Sequence, residues 1–133
     1  MDRLFLDANV LFSAAYRPNA GLLRLWHLKE IVLCTSRYAI EEARANLEEA
    51  VQHQRLIRLS QNLQMFEAAG GRLPAGISLP EKDVPILLAA LEASASHLLT
   101  GDLRHFGTYL GKKVEGIVVM LPGEYLRFRN RER

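Results

Sequence analysis

Short, nearly all-apolar blocks stand out in this chain at residues 3–6, Ile31–Cys34, His97–Thr100 and Ile117–Met120. Blocks this short, apolar at nearly every position, predict strands buried on both faces. Between them the apolar positions recur at helical spacing. Residues 19–30 carry Leu22, Leu23, Leu25 and Trp26. The run after Thr35-Ser36 carries Ala39, Ile40, Ala43, Leu47, Ala50 and Val51. Residues 54–69 carry Leu56, Leu59, Leu63 and Phe66. Thr35-Ser36 offers an N-cap for the second of these helices, and Gly70-Gly71 stops the third. Residues 71–82 form a loop containing Gly and Pro. DVPILLAALEASAS then reads as a helix, with Asp83 as N-cap and Pro85 in the first turn. Residues 103–110 predict a short helix or turn, and Pro122 opens a last short helix, PGEYLRF. The order β-α-β-α-α-α-β-(α)-β-α predicts an α/β fold: a three-layer α/β/α arrangement around a parallel sheet of four to five short strands. No repeat, linker or low-complexity tract divides residues 1–133, so a single domain is expected.

Composition agrees with one globular core, at 49% hydrophobic and 24% charged residues. No apolar run approaches the roughly 20 residues that span a bilayer, and the N-terminus lacks the pattern of a secretory signal. The lone cysteine, Cys34, lies in an apolar block, which predicts a buried, inert thiol and no internal disulfide. Cytoplasmic localisation follows as an expectation. The net charge is +2, of which the basic C-terminal tail 127–133, with four Arg and one Glu, supplies +3, leaving −1 on the rest. Such a tail can touch phosphates or be a solvated terminus.

The candidate chemistry is carried by carboxylates. Ligands of open parallel sheets collect at the carboxyl ends of the strands. Asp7 ends the first strand there, and Asp102 follows the third in LLTGD. Asp83 begins a helix that runs back along the sheet, which places it at the same edge. The helix after the second strand also starts at that edge. Its acids include Glu41 and Glu42, and Glu42, three residues after Ala39 and next to Ala43, is favoured as inward-facing. Two carboxylates about 4 Å apart repel by about 4 kcal/mol at an effective dielectric of 20. Such a cluster must hold protons or a cation. Oxygen donors without a thiolate or His cluster suit Mg²⁺ or Mn²⁺, whose chemistry suits phosphate esters. Taken singly, each acid also has a structural explanation: Asp83 as a plain N-cap, Glu42 as a surface acid, Asp102 as a turn residue.

Four segments, FLDANVLFSA, TSRYAIEEARANL, EKDVPILLAALEASASHLLTGDLRHFG and IVVMLPGEYL, in this order over almost the whole chain, resemble the PIN domain family. The resemblance implies a metal-dependent endoribonuclease, with a metal-activated water attacking the phosphodiester in line and products ending in 5′-phosphate and 3′-hydroxyl. It maps the family's acids onto Asp7, Glu42, Asp83 and Asp102, as catalytic residues and ligands of one or two Mg²⁺ or Mn²⁺ ions. Asn9 and Thr100 match supporting positions. Ala8 stands where Thr or Ser is frequent, and His105 where many relatives carry another acid. Arg17, Arg104 and His105 are candidate RNA contacts. The resemblance extends to toxins of toxin–antitoxin pairs, with an antitoxin as protein partner, and to homodimers, for which the apolar stripe at 54–69 is a candidate interface or core element. A processing ribonuclease, or a non-catalytic PIN-like module that binds RNA or protein, is the alternative. An aspartyl-phosphate phosphatase would need Asp-x-Asp where the first strand ends in Asp7-Ala8-Asn9, and no Gly-rich phosphate loop is present.

Overall fold

The computed structural model describes residues 1–131. Strand β1 (Asp2–Leu6) leads through Asp7 into helix α1 (Ala8–Tyr16), then a 3₁₀ helix (Gly21–His27), β2 (Ile31–Thr35), α2 (Arg37–Asn46) and α3 (Ala50–Ser60). Then come β3 (Gln64–Met65), a 3₁₀ turn (Glu81–Asp83), α4 (Val84–Glu92), β4 (His97–Leu99), α5 (Leu103–Phe106) and a second 3₁₀ turn (Gly107–Tyr109). The chain closes with β5 (Lys113–Val114), β6 (Ile117–Met120) and α6 (Pro122–Arg131). The six strands form one sheet in the order β3-β2-β1-β4-β6-β5. All neighbours are parallel except β5 and β6.

The predicted α/β class and central parallel sheet are present, flanked by helices. The two additional strands are two residues each, too short to leave a pattern in sequence. The connection after β1 leads to one side of the sheet and the later chain returns to the other, so the strand order reverses between β1 and β4. That reversal opens a crevice at the carboxyl ends of these two strands. Leu4, Phe5 and Leu6 are fully buried, as are Leu98 and Leu99, so the two central strands are locked in register by their own side chains.

Four helical expectations change. The segment after Asp7 is helix α1, because the Asp7 carboxylate and carbonyl accept from the first turn: Ala8 N–H to Oδ1 at 2.7 Å, and Val10 and Leu11 N–H to the carbonyl. Its buried stripe, Val10, Leu11, Ala14 and Ala15, is helical in spacing but hidden in a segment that is apolar at all but Asn9 and Ser13. The expected helix over 19–30 is a 3₁₀ helix. The stripe running from Ala39 to Val51 belongs to two helices. Leu47 leaves α2 in an extended conformation, and Glu49 starts α3 with a capping box to Gln52. Helix α3 ends at Ser60, and residues 64–65 pair with β2 instead of continuing a helix to 69. The apolar stripe over 54–69 goes to the core: Leu56 and Leu63 are buried, with Leu59 and Phe66 packed beside them. Cys34 is buried, and burial raises its thiol pKa, as an inert thiol requires.

Residues 127–131 of the basic tail lie in α6, where the Arg129 guanidinium donates to the Lys29 carbonyl at 2.8 Å; Glu132 and Arg133 lie outside the described residues. Helix α6 is anchored by Tyr125, fully buried, whose hydroxyl donates to Asp2 Oδ2 at 2.6 Å. Tyr125→Phe should lower stability by about 1–2 kcal/mol, the net worth of one such bond, read as a shift of the urea midpoint at unchanged slope. No helix among the described residues is long and apolar enough to cross a membrane.

Candidate metal centre

The crevice between β1 and β4 is a pocket of about 450 Å³, and Asp7, Glu42, Asp83 and Asp102 all line it, with Asn9, Phe12, Asn46 and Lys82. Residues separated by up to 95 positions thus meet in one cavity, each carried there by a different element.

Asp7 leaves the end of β1 and is 3% exposed. Its backbone N–H donates to the Leu99 carbonyl at 3.1 Å, which extends the β1–β4 ladder by one residue. Its Oδ2 accepts from Thr100 Oγ1 at 2.9 Å and from Asn9 Nδ2 at 3.2 Å. Asn9 in turn accepts from Gly101 N–H at 2.7 Å, and Thr100 Oγ1 accepts from Asp102 N–H at 3.0 Å. Asn9 and Thr100 therefore tie the ends of β1 and β4 together around one carboxylate. Ala8 contributes its backbone N–H to Asp7 and no side-chain hydroxyl.

Asp83 stands at the start of α4 but makes no capping bond with its side chain; Pro85 in the first turn removes one of the donors a cap would satisfy. The carboxylate is free to face the pocket, and its Oδ2 is buried without a hydrogen-bond partner. Asp102 caps the short α5 through Oδ1, which accepts His105 N–H at 3.0 Å. The cap turns the His105 ring back over the acids. His105 Nδ1 lies 2.8 Å from Asp102 Oδ2 and 2.8 Å from Asp83 Oδ2. Donor atoms of Asp83, Asp102 and His105 lie within 4.8 Å of one another, a grouping able to hold a metal ion. Asp7 and Glu42 share the pocket without belonging to this tighter group.

Glu42 is half-buried on α2, whereas Glu41 is exposed. Ser36 fixes the start of that helix by accepting Ala39 N–H at 3.1 Å. The Tyr38 hydroxyl donates to the Lys82 carbonyl at 2.6 Å, which holds α2 against the turn that delivers Asp83. Tyr38 and Lys82 escaped the sequence analysis; a tyrosine one turn before the favoured Glu42 was the only signal available. Of the other candidates, Arg17 lines a groove that adjoins the pocket through Phe12, and Arg104 is exposed on α5.

The electrostatics are those of crowded carboxylates only partly offset by Lys82 and His105. Burial, reinforced by Asp83 and Glu42, raises the Asp7 pKa from 3.8 to about 6, against the opposing hydrogen bonds from Thr100 and Ala8. Burial likewise raises Glu42, with Lys82 opposing and Asp83 adding. Burial raises Asp83 too; His105 and Lys82 oppose it and Asp102 adds to it. Raised carboxyls, with the buried Asp83 Oδ2 beside His105, give a site that could hold a cation. The donors, oxygens plus one imidazole nitrogen, fit a small divalent ion.

The parallel sheet with its reversal between β1 and β4 is the PIN-like fold. No family model matches the chain, and no curated protein matches it. Among solved structures the chain is similar to VapBC2 from Rickettsia felis bound to a DNA fragment from their promoter, at 17% identity and a TM-score of 0.65, covering 90% of this chain and 98% of that one. VapBC-1 from nontypeable Haemophilus influenzae is similar at 13% identity and a TM-score of 0.55, covering 91% and 98%. FitAcB from Neisseria gonorrhoeae is similar at 19% identity and a TM-score of 0.50, covering 90% and 98%.

Proposed function

We propose that this chain is a Mg²⁺- or Mn²⁺-dependent endoribonuclease of PIN type and the toxin of a toxin–antitoxin pair in the cytoplasm. The observation that carries the proposal is the convergence of Asp7, Glu42, Asp83 and Asp102 on one pocket, with the buried Asp83 Oδ2 beside His105. Asp83 and Asp102, with Asp7 and Glu42 beside them, would hold the ion. When bound, it supplies Lewis-acid polarisation of a phosphoryl oxygen and lowers the pKa of water. The chain's own residues orient the reaction: Thr100 and Asn9 fix the Asp7 carboxylate, and Lys82 at the rim and Arg17 in the adjoining groove offer positive charge to the RNA backbone. The similar VapBC and FitAB structures are two-component complexes, which supports an antitoxin partner for this chain.

The test is a cleavage assay on end-labelled single-stranded RNA. Cleavage should appear with Mn²⁺ or Mg²⁺, stop on chelation, and leave 5′-phosphate ends. RNA that is bound but never cut, at any concentration of either ion, would instead support a non-catalytic binding module.

A further inference from the structure

His105 is the one nitrogen donor among the acids, and its position is specific. Nδ1 is buried and lies 2.8 Å from an oxygen of each of two aspartates, within reach of both. An imidazolium bridging two carboxylates would aim its N–H along one of these lines. At 2.8 Å such a contact is strong, but a single proton on Nδ1 can serve only one of the two oxygens at a time. A divalent ion in place of that proton would engage all three donor atoms at once, and these lie within 4.8 Å of one another. Two ligands at right angles on a small divalent ion, each about 2.1 Å away, are about 3 Å apart, close to both observed separations.

We propose that His105 binds the metal directly through Nδ1, beside Asp83 and Asp102, and thereby makes the site select Mn²⁺ over Mg²⁺. This rests on the metal-dependent reading above and deepens it. Mg²⁺ is a hard ion that takes oxygen donors and keeps its waters, whereas first-row transition ions accept imidazole readily. A site with one fixed nitrogen therefore discriminates where an all-carboxylate site does not. Asp102 serves twice: its Oδ1 holds the His105 backbone and its Oδ2 faces the same ring.

The experiment is pulsed electron paramagnetic resonance of the Mn²⁺-loaded protein, with calorimetric titration of Mn²⁺ and Mg²⁺. The spectrum should carry nitrogen modulation that changes on ¹⁵N-histidine labelling of the unmutated protein and disappears in His105→Asn. Even loss of an outer partner of a ligand costs about 10–100-fold in metal affinity. The preference for Mn²⁺ over Mg²⁺ should accordingly fall about ten-fold or more in His105→Asn, and His105→Asp should move it further toward Mg²⁺. Mn²⁺ binding without nitrogen modulation in the wild type, or an unchanged preference in a folded His105→Asn, overturns the role of His105 and leaves the nuclease reading standing. Absence of binding by either ion overturns both.

Discussion

Asp7→Asn should abolish the stabilisation by Mn²⁺ and lower RNA cleavage by on the order of 10³-fold, as loss of one member of a catalytic set does, while making the metal-free protein more stable at neutral pH. The second half follows from the pKa. Asp7 titrates at 3.8 ordinarily and at about 6 in the fold. Between those values the folded protein holds a proton that the unfolded chain has released. The stability contributed by the protonated carboxyl is fully present below about pH 3.8 and is lost as pH rises through 6. Above pH 6 the ionised carboxylate costs about 3 kcal/mol relative to its neutral form, at about 1.36 kcal/mol for each pKa unit. Asparagine removes that cost. It also sets an amide nitrogen near Asn9 Nδ2, which sits 3.2 Å from Asp7 Oδ2, so the net gain should be about 1–2 kcal/mol at pH 7.5. It should vanish at about pH 5 and reverse below that, where the charge penalty has gone and the amide contact remains. Thermal denaturation of both proteins with chelator, from pH 4 to 8, measures this. A variant no more stable than wild type at pH 7.5 would mean that Asp7 is not strained by burial, and that the site needs no cation.

This tension between fold and charge explains why much of the site was legible in the sequence. A carboxylate directly after a block of buried apolar residues is costly, and the βα order alone brings Asp83 and Asp102 to the edge that Asp7 occupies. Helical spacing from Ala39 and Ala43 was enough to separate half-buried Glu42 from exposed Glu41. What stayed hidden depends on local geometry without periodicity. Helix α1 is apolar at all but Asn9 and Ser13, and its start is set by Asp7, whose side chain also accepts from Thr100. The break between α2 and α3 falls at Leu47-Glu48-Glu49, with neither Gly nor Pro to mark it. The position of His105 is set by Asp102 capping a helix of four residues. The cap turns the ring inward, and a spacing of three residues in a loop does not reveal that.

Thr100→Val should separate the tuning of the site from its composition. Valine keeps the shape of threonine and leaves all four acids in place. It deletes the hydroxyl that donates to Asp7 Oδ2 at 2.9 Å and accepts from Asp102 N–H at 3.0 Å. The first of these bonds holds the Asp7 pKa down against burial. Its loss raises that pKa above 6, because only the ionised form gains from the donor. The second bond positions the backbone from which Asp102 caps α5. Above the variant's raised pKa, where Asp7 is ionised in both proteins, the metal-free variant should be less stable by about 2–3 kcal/mol, the worth of a bond to a buried charge together with an unpaired amide. Below pH 5 the deficit should shrink, since the protonated carboxyl no longer depends on the donor. Cleavage at pH 7 should fall and partly recover by pH 8.5 as Asp7 ionises, a displacement that mere loss of folding would not produce. A pH–rate profile of unchanged position, merely scaled down, would show that Thr100 supports the strand ends without tuning the carboxylate between them.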